Sequence, residues 1–318
     1  MDRGRLKRAC IGLLLVAASV VCAAQGVDPQ PVPVQAQAGS GRGKGADWYV
    51  QLDNDVMFDT DRWYTSGVRI ARVANDIEWG ITQEIYTPDV QHGPPGAPDR
   101  APTARLLATV DQHFRGEFAY QTVGLALGIR GPSALGEQTQ RAVHKVVTSG
   151  AIIDWTRQLP DEYDASVAWT RTQRSARESP FGEGLKLHFG AVLGNQELFA
   201  HLGAEIRIGD ASARGLSSRL LRFAPTPPLT DGGERALGWS AFAGASVRGV
   251  GRNELLVTDY DPLKPELELK RAVGRAVVGA TYGGRWGSVE LNIAADTEEF
   301  KGQHTGQPFG SLTLHFAF

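Results

Sequence analysis

The chain of 318 residues is weakly charged, with 21% Asp, Glu, Lys and Arg and a formal net charge of −2. This balance gives no basic surface of the kind that binds nucleic acid, so nucleic acid is not expected as a partner. Both cysteines, Cys10 and Cys22, lie within the first 24 residues. A chain that loses this segment keeps no thiol, which excludes disulfides and thiolate metal sites.

The first 24 residues have the pattern of a secretory signal peptide. Four basic residues between positions 3 and 8 precede an uncharged apolar run from Ala9 to Ala24 that ends in small residues, which predicts export and cleavage after Ala24. The run is shorter than the roughly 20 residues of a spanning helix, although an uncleaved anchor is the alternative. Because residues 1–24 carry a net charge of +3, cleavage leaves a mature chain at −5.

Residues 25–46 consist mainly of Pro, Gln, Gly and Ala with few large apolar side chains, which predicts a disordered lead-in. Residues 47–318 remain for folding. That length suits either two domains or one large all-β unit.

The folded part is dominated by alternation of apolar with polar or small residues. It is clearest in TVGLALGIR (122–130), GLKLHFGAVL (184–193), LFAHLGAEIRI (198–208) and SVELNIAAD (288–296). A period of two predicts β-strands. The mature chain has no apolar run long enough for a spanning helix, which excludes a helical membrane protein.

We predict about twelve strands, at roughly 47–56, 63–74, 77–86, 103–113, 117–130, 162–173, 183–193, 198–208, 237–249, 267–282, 284–297 and 309–318. An even number would close a transmembrane antiparallel β-barrel with both termini on the periplasmic side. The Pro- and Gly-rich insert at 214–236 is interpreted as an extracellular loop.

A soluble β-sandwich would show the same alternation, so the ends of the chain decide between the two architectures. The last segment, GSLTLHFAF, places Leu312, Leu314, Phe316 and Phe318 on one face. It resembles the C-terminal strand signature that outer-membrane barrels present to the barrel-insertion machinery. Together with the signal peptide, this ending favours an outer-membrane barrel.

One segment between the strands has the pattern of a helix. Ser133 is a suitable N-cap and Thr148, Ser149 and Gly150 form a stop, which predicts a helix over 134–147 in an extracellular loop. Gln140 and His144 are four residues apart and therefore share one helix face. His144 is either an ordinary surface histidine or part of a site.

A second unusual segment, LDNDVMFDTDRWYTSGVRIARV at 52–73, crowds aspartates beside a strand. One interpretation is a polar turn that happens to be acidic, and the other is a cation site at the rim of the sheet. Asp59 and Asp61 are assigned to the turn, where carboxylates are common. Asp55 is the candidate for a site.

An ordered set of sequence blocks resembles the outer-membrane lipid A 3'-O-deacylases of Gram-negative bacteria. The blocks are NDVMFDTDRWYTSGVRI, QEIYTPD, DRA at 99–101, GIRGPSALGEQTQRAVH and DWTRQLPDEY, which span about 50–165. The resemblance implies a twelve-stranded outer-membrane barrel that hydrolyses the 3'-linked acyloxyacyl ester of lipid A, the lipid part of lipopolysaccharide. It also implies calcium (Ca2+) as a cofactor. The family's motif residues correspond to Asn54, Asp55, Thr65, Gln140 and His144.

Two departures from the family pattern leave other functions open. The block DRAPTARLLA at 99–108 lacks the family's usual Pro-Tyr-Ala-Gly-Trp type continuation, and Gly150 stands where the family has an acidic residue. A catalytically weak or inactive barrel that serves as a pore or structural protein is therefore the alternative. A calcium-dependent phospholipase is a third possibility, although the sequence has no G-x-S-x-G motif.

The expected chemistry is direct attack by water on the ester. A histidine, whose ordinary pKa is near 6.5, suits the general base, so His144 would activate the water and Gln140 would orient it or the ring. Asp55 would help to hold a hard cation, and Asn54 and Thr65 would donate hydrogen bonds. The sequence predicts that His144 acts together with Asp55.

Strand alternation points Asn54 and Asp55 to opposite faces, so we expect either a bulge there or a backbone role for one of them. Four basic residues are candidates for the phosphates of lipid A: Arg62, Arg100, Arg141 and Lys145.

Overall fold

The structure is a computed structural model that describes residues 46–58, 60–91, 99–116, 119–147, 152–174, 185–209, 220–221, 238–256, 267–284 and 287–317. The predicted signal peptide and lead-in lie outside these residues, as do Asp59, Gly150 and Phe318.

Twelve strands form one closed sheet. They are β1 (Asp47–Asn54), β2 (Trp63–Ala74), β3 (Ile77–Thr87), β4 (Thr103–Arg115), β5 (Ala119–Arg130), β6 (Glu162–Arg174), β7 (Lys186–Gly194), β8 (Glu197–Gly209), β9 (Gly238–Asn253), β10 (Ala272–Gly284), β11 (Gly287–Asp296) and β12 (Gln307–Ala317). Each strand pairs antiparallel with the next, and β1 pairs with β12. The predicted twelve-stranded barrel is confirmed, and closure leaves no open edge.

The described residues contain one α-helix, α1 (Gly136–Val147), and three short 3-10 turns, Val56–Phe58, Pro132–Ala134 and Trp155–Arg157. The predicted helix is confirmed, but Ser133 is not its N-cap. Ser133 lies in a 3-10 turn, and its hydroxyl donates to Asp161 Oδ2 at 2.6 Å. Across the described residues, no helix has the length and apolar character needed to cross a membrane.

The barrel wall is apolar outside and polar inside. Exposed apolar side chains point outward at Leu52, Ile70, Ile81, Leu125, Leu127, Val167, Leu202, Ile206, Val247, Val278, Leu291 and Ile293. Buried charged side chains fill the lumen at Arg69, Glu78, Glu84, Asp111, Glu205, Arg207, Arg275, Glu290 and Asp296. This arrangement is the reverse of a water-soluble sandwich and is the arrangement of a transmembrane barrel.

Large aromatic side chains mark the barrel end that carries the termini. Trp48, Trp79, Trp239 and Tyr282 are all exposed there. Trp239 lies opposite Tyr282 in the β9–β10 register, and Trp48 and Trp79 both lie opposite Arg72. Such aromatic girdles sit at the boundary between lipid and water.

A buried ion pair links neighbouring strands inside the lumen. The Arg275 guanidinium donates to both carboxylate oxygens of Asp296, from Nε at 2.6 Å and from a terminal nitrogen at 2.7 Å. Both side chains are almost fully buried. Removal of Arg275 takes away the bidentate partner of a buried carboxylate, and the Arg248 guanidinium is farther from Asp296, at 3.8 Å.

We therefore expect Arg275→Met to lower the free energy of unfolding by about 3–5 kcal/mol, as for other broken buried pairs. Guanidinium unfolding in lipid vesicles measures this change. The control is Lys301→Met, which breaks an exposed pair with Glu268 and should cost less than about 1 kcal/mol. Equal, small effects of the two substitutions would contradict the prediction.

An apolar cluster lies within the lumen. Its buried members are Tyr64, Tyr86, Leu220, Phe242, Leu255, Val277, Ala294 and Phe309. Leu220 belongs to the β8–β9 connection and reaches into the barrel, where its carbonyl accepts a hydrogen bond from Ser246.

The position of this connection bears on two sequence predictions, the extracellular loop at 214–236 and the periplasmic termini. Strand order places Gly209 and Gly238, which flank the connection, at the barrel end of the chain termini. An extracellular loop at 214–236 and periplasmic termini, both predicted from the sequence, therefore cannot both hold. Apart from Leu220 and Leu221, that insert lies outside the described residues.

Candidate functional site

The connection between β1 and β2 begins with a side-chain-capped turn. β1 ends at Asn54, whose Oδ1 accepts a hydrogen bond from the Val56 backbone nitrogen at 2.7 Å. This bond starts the 3-10 turn at Val56–Phe58. The chain has already left the strand at Asp55, so strand alternation no longer fixes its direction and no bulge is needed there.

Asp55 is buried at the rim of the lumen. Its Oδ2 accepts hydrogen bonds from Thr60 Oγ1 at 3.0 Å, the Arg62 backbone nitrogen at 3.0 Å and Gln307 Nε2 at 3.5 Å. Burial raises the pKa of Asp55 to about 8, and the negative charge of Asp61 acts in the same direction. Ionisation of Asp55 therefore costs free energy unless a positive group binds beside it.

Thr65 occupies a bulge in β2. The register with β3 shifts between Tyr64 and Ser66, so Thr65 is the extra residue. Bulges redirect a side chain from the regular alternation. Thr65 Oγ1 lies 2.5 Å from Thr87 Oγ1, and Thr87 Oγ1 donates to the backbone carbonyl of Asp61 at 3.2 Å.

Helix α1 packs against the outer wall of the barrel. Ile81 and Trp79 of β3 point outward, and Ile85 continues that face into a cluster with Ala104 and Trp155. A side chain at Gly136 would place its Cβ 2.4 Å from the Ala104 Cβ. The start of α1 therefore approaches the wall as closely as glycine allows.

We expect Gly136→Leu to push α1 off the wall and lower any activity of the site at least about tenfold, since small displacements of catalytic groups have large effects. The barrel should remain folded, as shown by its retained migration as a compact species in unheated gels. The control is Gly116→Ala in the β4–β5 turn, where the added Cβ would meet only the Ala119 carbonyl at 3.5 Å. Full activity of Gly136→Leu would contradict this account of α1.

The helix face predicted from sequence carries Gln140 and His144 to one carboxylate, Asp61. Gln140 Nε2 donates to Asp61 Oδ1 at 2.9 Å, and His144 Nε2 lies 3.2 Å from Asp61 Oδ2. Gln140 Oε1 accepts from the indole nitrogen of Trp155 at 3.0 Å. Gln140 is buried, whereas 28% of the His144 side chain stays accessible.

The structure shows a partner of His144 that the sequence did not assign. The carboxylate against His144 is Asp61 and not Asp55, and Asp61 is more than a turn residue because it joins the helix to the β1–β2 connection. Sequence spacing gave no sign of this contact, since residues far apart in the chain make it. Asp59 lies outside the described residues.

The four basic residues differ in their availability to a phosphate. Arg100 is buried, with its guanidinium over the Tyr86 ring at 4.3 Å and a donor bond to the Leu255 carbonyl. Its predicted phosphate contact is therefore wrong. Arg62 is paired with Asp89 at 2.6 Å, and the exposed Arg141 is paired with Glu137 at 2.6 Å.

Lys145 is exposed on the last turn of α1. Lys145 and Arg141 are therefore the two predicted phosphate contacts that lie on the accessible surface of the helix.

The site as a whole is an accessible imidazole held against a buried carboxylate and amide, on the lipid-facing wall of a barrel. A sequence model of the family described as "Outer membrane protein LpxR" matches residues 13–318 of this chain. The chain belongs to the LpxR family. The expected resemblance to the outer-membrane lipid A deacylases is thereby confirmed, and the family places the barrel in the outer membrane.

Two solved structures extend the comparison. LpxR from Salmonella typhimurium superposes with a TM-score of 0.71 at 22% identity, covering 86% of this chain and 100% of that chain. This similarity establishes a shared fold. The outer membrane channel DcaP of Acinetobacter baumannii covers 88% of this chain and 100% of its own, with a TM-score of 0.28 and 10% identity. No curated protein matches the sequence.

Proposed function

We propose that this LpxR-family barrel hydrolyses the 3'-linked acyloxyacyl ester of lipid A in the outer leaflet, with water activated by His144 and assistance from calcium. The observation that carries the proposal is the contact of His144 and Gln140 with Asp61 on the outer wall of the barrel. The helix that carries this base packs on the outer wall of the barrel and not in the lumen.

The position of the site agrees with a lipid substrate. The site lies at the barrel end opposite the termini. If the signal peptide exports the chain and the termini are periplasmic, that end faces the cell exterior, where lipid A occupies the outer leaflet. Met57, Val143 and Ile152 are exposed apolar side chains of the site's three segments, and they offer a surface for acyl chains.

The chemistry proceeds by acyl transfer to water. The imidazole of His144 takes a proton from water as the water oxygen attacks the ester carbonyl carbon. The tetrahedral intermediate collapses, and the bond between the carbonyl carbon and the sugar 3'-oxygen breaks. The imidazolium returns its proton to that oxygen, which releases the acyloxyacyl acid and a free 3'-hydroxyl.

The residues present fit a hard cation. Calcium prefers oxygen ligands, and Asp55 offers a buried carboxylate whose Oδ1 accepts no hydrogen bond from the described residues. The nearby charge of Asp61 further favours a cation. No group of three or more His, Cys, Asp or Glu gathers in the part of the chain that the structure describes, so the remaining ligands would be carbonyls, hydroxyls or water. A bound calcium ion would stabilise negative charge on the ester oxygen.

The alternative of an inactive pore or structural barrel rests on Gly150 and the 99–108 block. Within the described residues, the apolar cluster around Tyr64, Phe242 and Phe309 lies within the lumen, which disfavours an open pore.

The decisive experiment incubates the purified barrel with lipid A in detergent micelles with calcium and identifies released acids by mass spectrometry. We expect acyloxyacyl acid from the 3' position, and its loss when calcium is chelated. Phospholipid micelles serve as the control for the phospholipase alternative. A folded barrel that releases nothing from lipid A, or that hydrolyses phospholipid instead, would contradict the proposal.

A further inference from the structure

We propose that Asp61 is a positioning residue that fixes the orientation and proton location of His144, so that Nδ1 of the imidazole is the base. This inference rests on the proposed function. Asp61 Oδ1 accepts a hydrogen bond from Gln140 Nε2 at 2.9 Å, and Asp61 Oδ2 lies 3.2 Å from His144 Nε2 on the same helix face. Each carboxylate oxygen of Asp61 therefore contacts a side chain of α1.

The hydrogen-bond network determines where the protons lie. An indole nitrogen can only donate, so Trp155 requires that the carbonyl oxygen of Gln140 faces it. The amide nitrogen of Gln140 then faces Asp61 Oδ1 and donates to it. An ionised carboxylate can only accept, so His144 must carry its proton on Nε2 and present the lone pair of Nδ1 away from Asp61.

Asp61 is itself held in place by two threonines. Thr87 has one hydroxyl proton and gives it to the Asp61 carbonyl at 3.2 Å. The short contact between Thr65 and Thr87 must then be donated by Thr65. This gives Thr65 a role that the sequence did not predict, because it acts on His144 through Thr87 and Asp61.

The electrostatic environment suits this role. Only 8% of the Asp61 side chain is accessible, so its charge is weakly screened and acts strongly on its neighbours. A carboxylate beside the base stabilises the imidazolium that forms when His144 takes a proton. Gly150 supplies no carboxylate at the position where the family has one, whereas Asp61 contacts His144 directly.

The test compares Asp61→Asn and Asp61→Glu with the wild-type full-length barrel in the lipid A micelle assay. Asn can accept at Oδ1 but donates at Nδ2, so it cannot accept from Gln140 and His144 together. We expect kcat at saturating calcium to fall about 100-fold or more, in the range of general-base contributions, with KM unchanged. The kcat of Asp61→Glu should be at least about tenfold higher than that of Asp61→Asn, since glutamate restores the carboxylate.

The control is Asp76→Asn, the same change in the β2–β3 turn at the other barrel end, which should keep wild-type kcat. The inference is overturned if Asp61→Asn keeps kcat within about threefold of wild type. It is also overturned if saturating calcium restores kcat, because Asp61 would then act on the metal and not on His144. A wild-type barrel without activity would instead contradict the proposed function.

Discussion

Replacing His144 by alanine is expected to lower kcat for release of the acyloxyacyl acid at least about 100-fold, because a positioned general base contributes roughly that much or more. The barrel should stay folded, since His144 is only half buried and lies on a helix outside the wall. Product release from lipid A micelles, followed by mass spectrometry, measures the change.

A second histidine at the same barrel end provides the matched control for His144. His304 also faces a carboxylate, with Nε2 3.4 Å from Asp89 Oδ2, and its side chain has a similar exposure of 29%. His304→Ala should retain wild-type kcat. If His144→Ala were as active as His304→Ala, His144 would not be the base.

Asp55→Asn is the second substitution with a large expected effect, and it should separate activity from stability. A neutral amide is a weaker ligand for a hard cation than a carboxylate, so we expect the calcium concentration for half-maximal rate to rise at least about tenfold. A calcium titration of lipid A hydrolysis measures it, and an unchanged calcium requirement would exclude Asp55 as a ligand. Asp76→Asn again serves as the control.

The same substitution should stabilise the metal-free protein at high pH. The pKa of Asp55 is raised from 3.8 to about 8, so between these values the folded state holds a proton that the unfolded state has lost. Stability contributed by protonated Asp55 is thus complete below pH 4 and is lost as pH rises through about 8. Since one pKa unit corresponds to about 1.4 kcal/mol, the loss is on the order of 6 kcal/mol.

In a chelating buffer, the midpoint temperature of thermal unfolding of the wild type should therefore be lower at pH 9 than at pH 5. The midpoint temperature of Asp55→Asn should change less between the two pH values. Heating series read by the migration shift in gels compare the two proteins. A wild type whose midpoint is the same at both pH values would show that Asp55 ionises without cost.

Most of the barrel could be predicted because its determinants are local. Outward and inward positions alternate within each strand, so a segment such as SVELNIAAD shows its strand directly, and β11 covers 287–296. The start of α1 was less predictable. The local sequence predicts that the Ser133 hydroxyl caps the helix. In the structure this hydroxyl donates to Asp161, which is distant in the sequence.

The candidate site was predicted in its members but not in its contacts. Gln140 and His144 share a face because helical spacing requires it. Their partner Asp61 lies in the β1–β2 connection, which only the folded chain brings next to α1. The direction of the Thr65 side chain depends on a bulge in the pairing of β2 with β3. No sequence pattern within β2 predicts this bulge. Arg100 looked accessible in sequence, but packing over Tyr86 buries it.

The most direct test of the central claim is mass spectrometry of lipid A extracted from Gram-negative cells that express the wild-type barrel or its His144→Ala variant in the outer membrane. We expect the wild type to produce lipid A that lacks the 3'-linked acyloxyacyl group, and the variant to leave lipid A intact. Unmodified lipid A in cells that contain folded wild-type barrel and calcium would contradict the account.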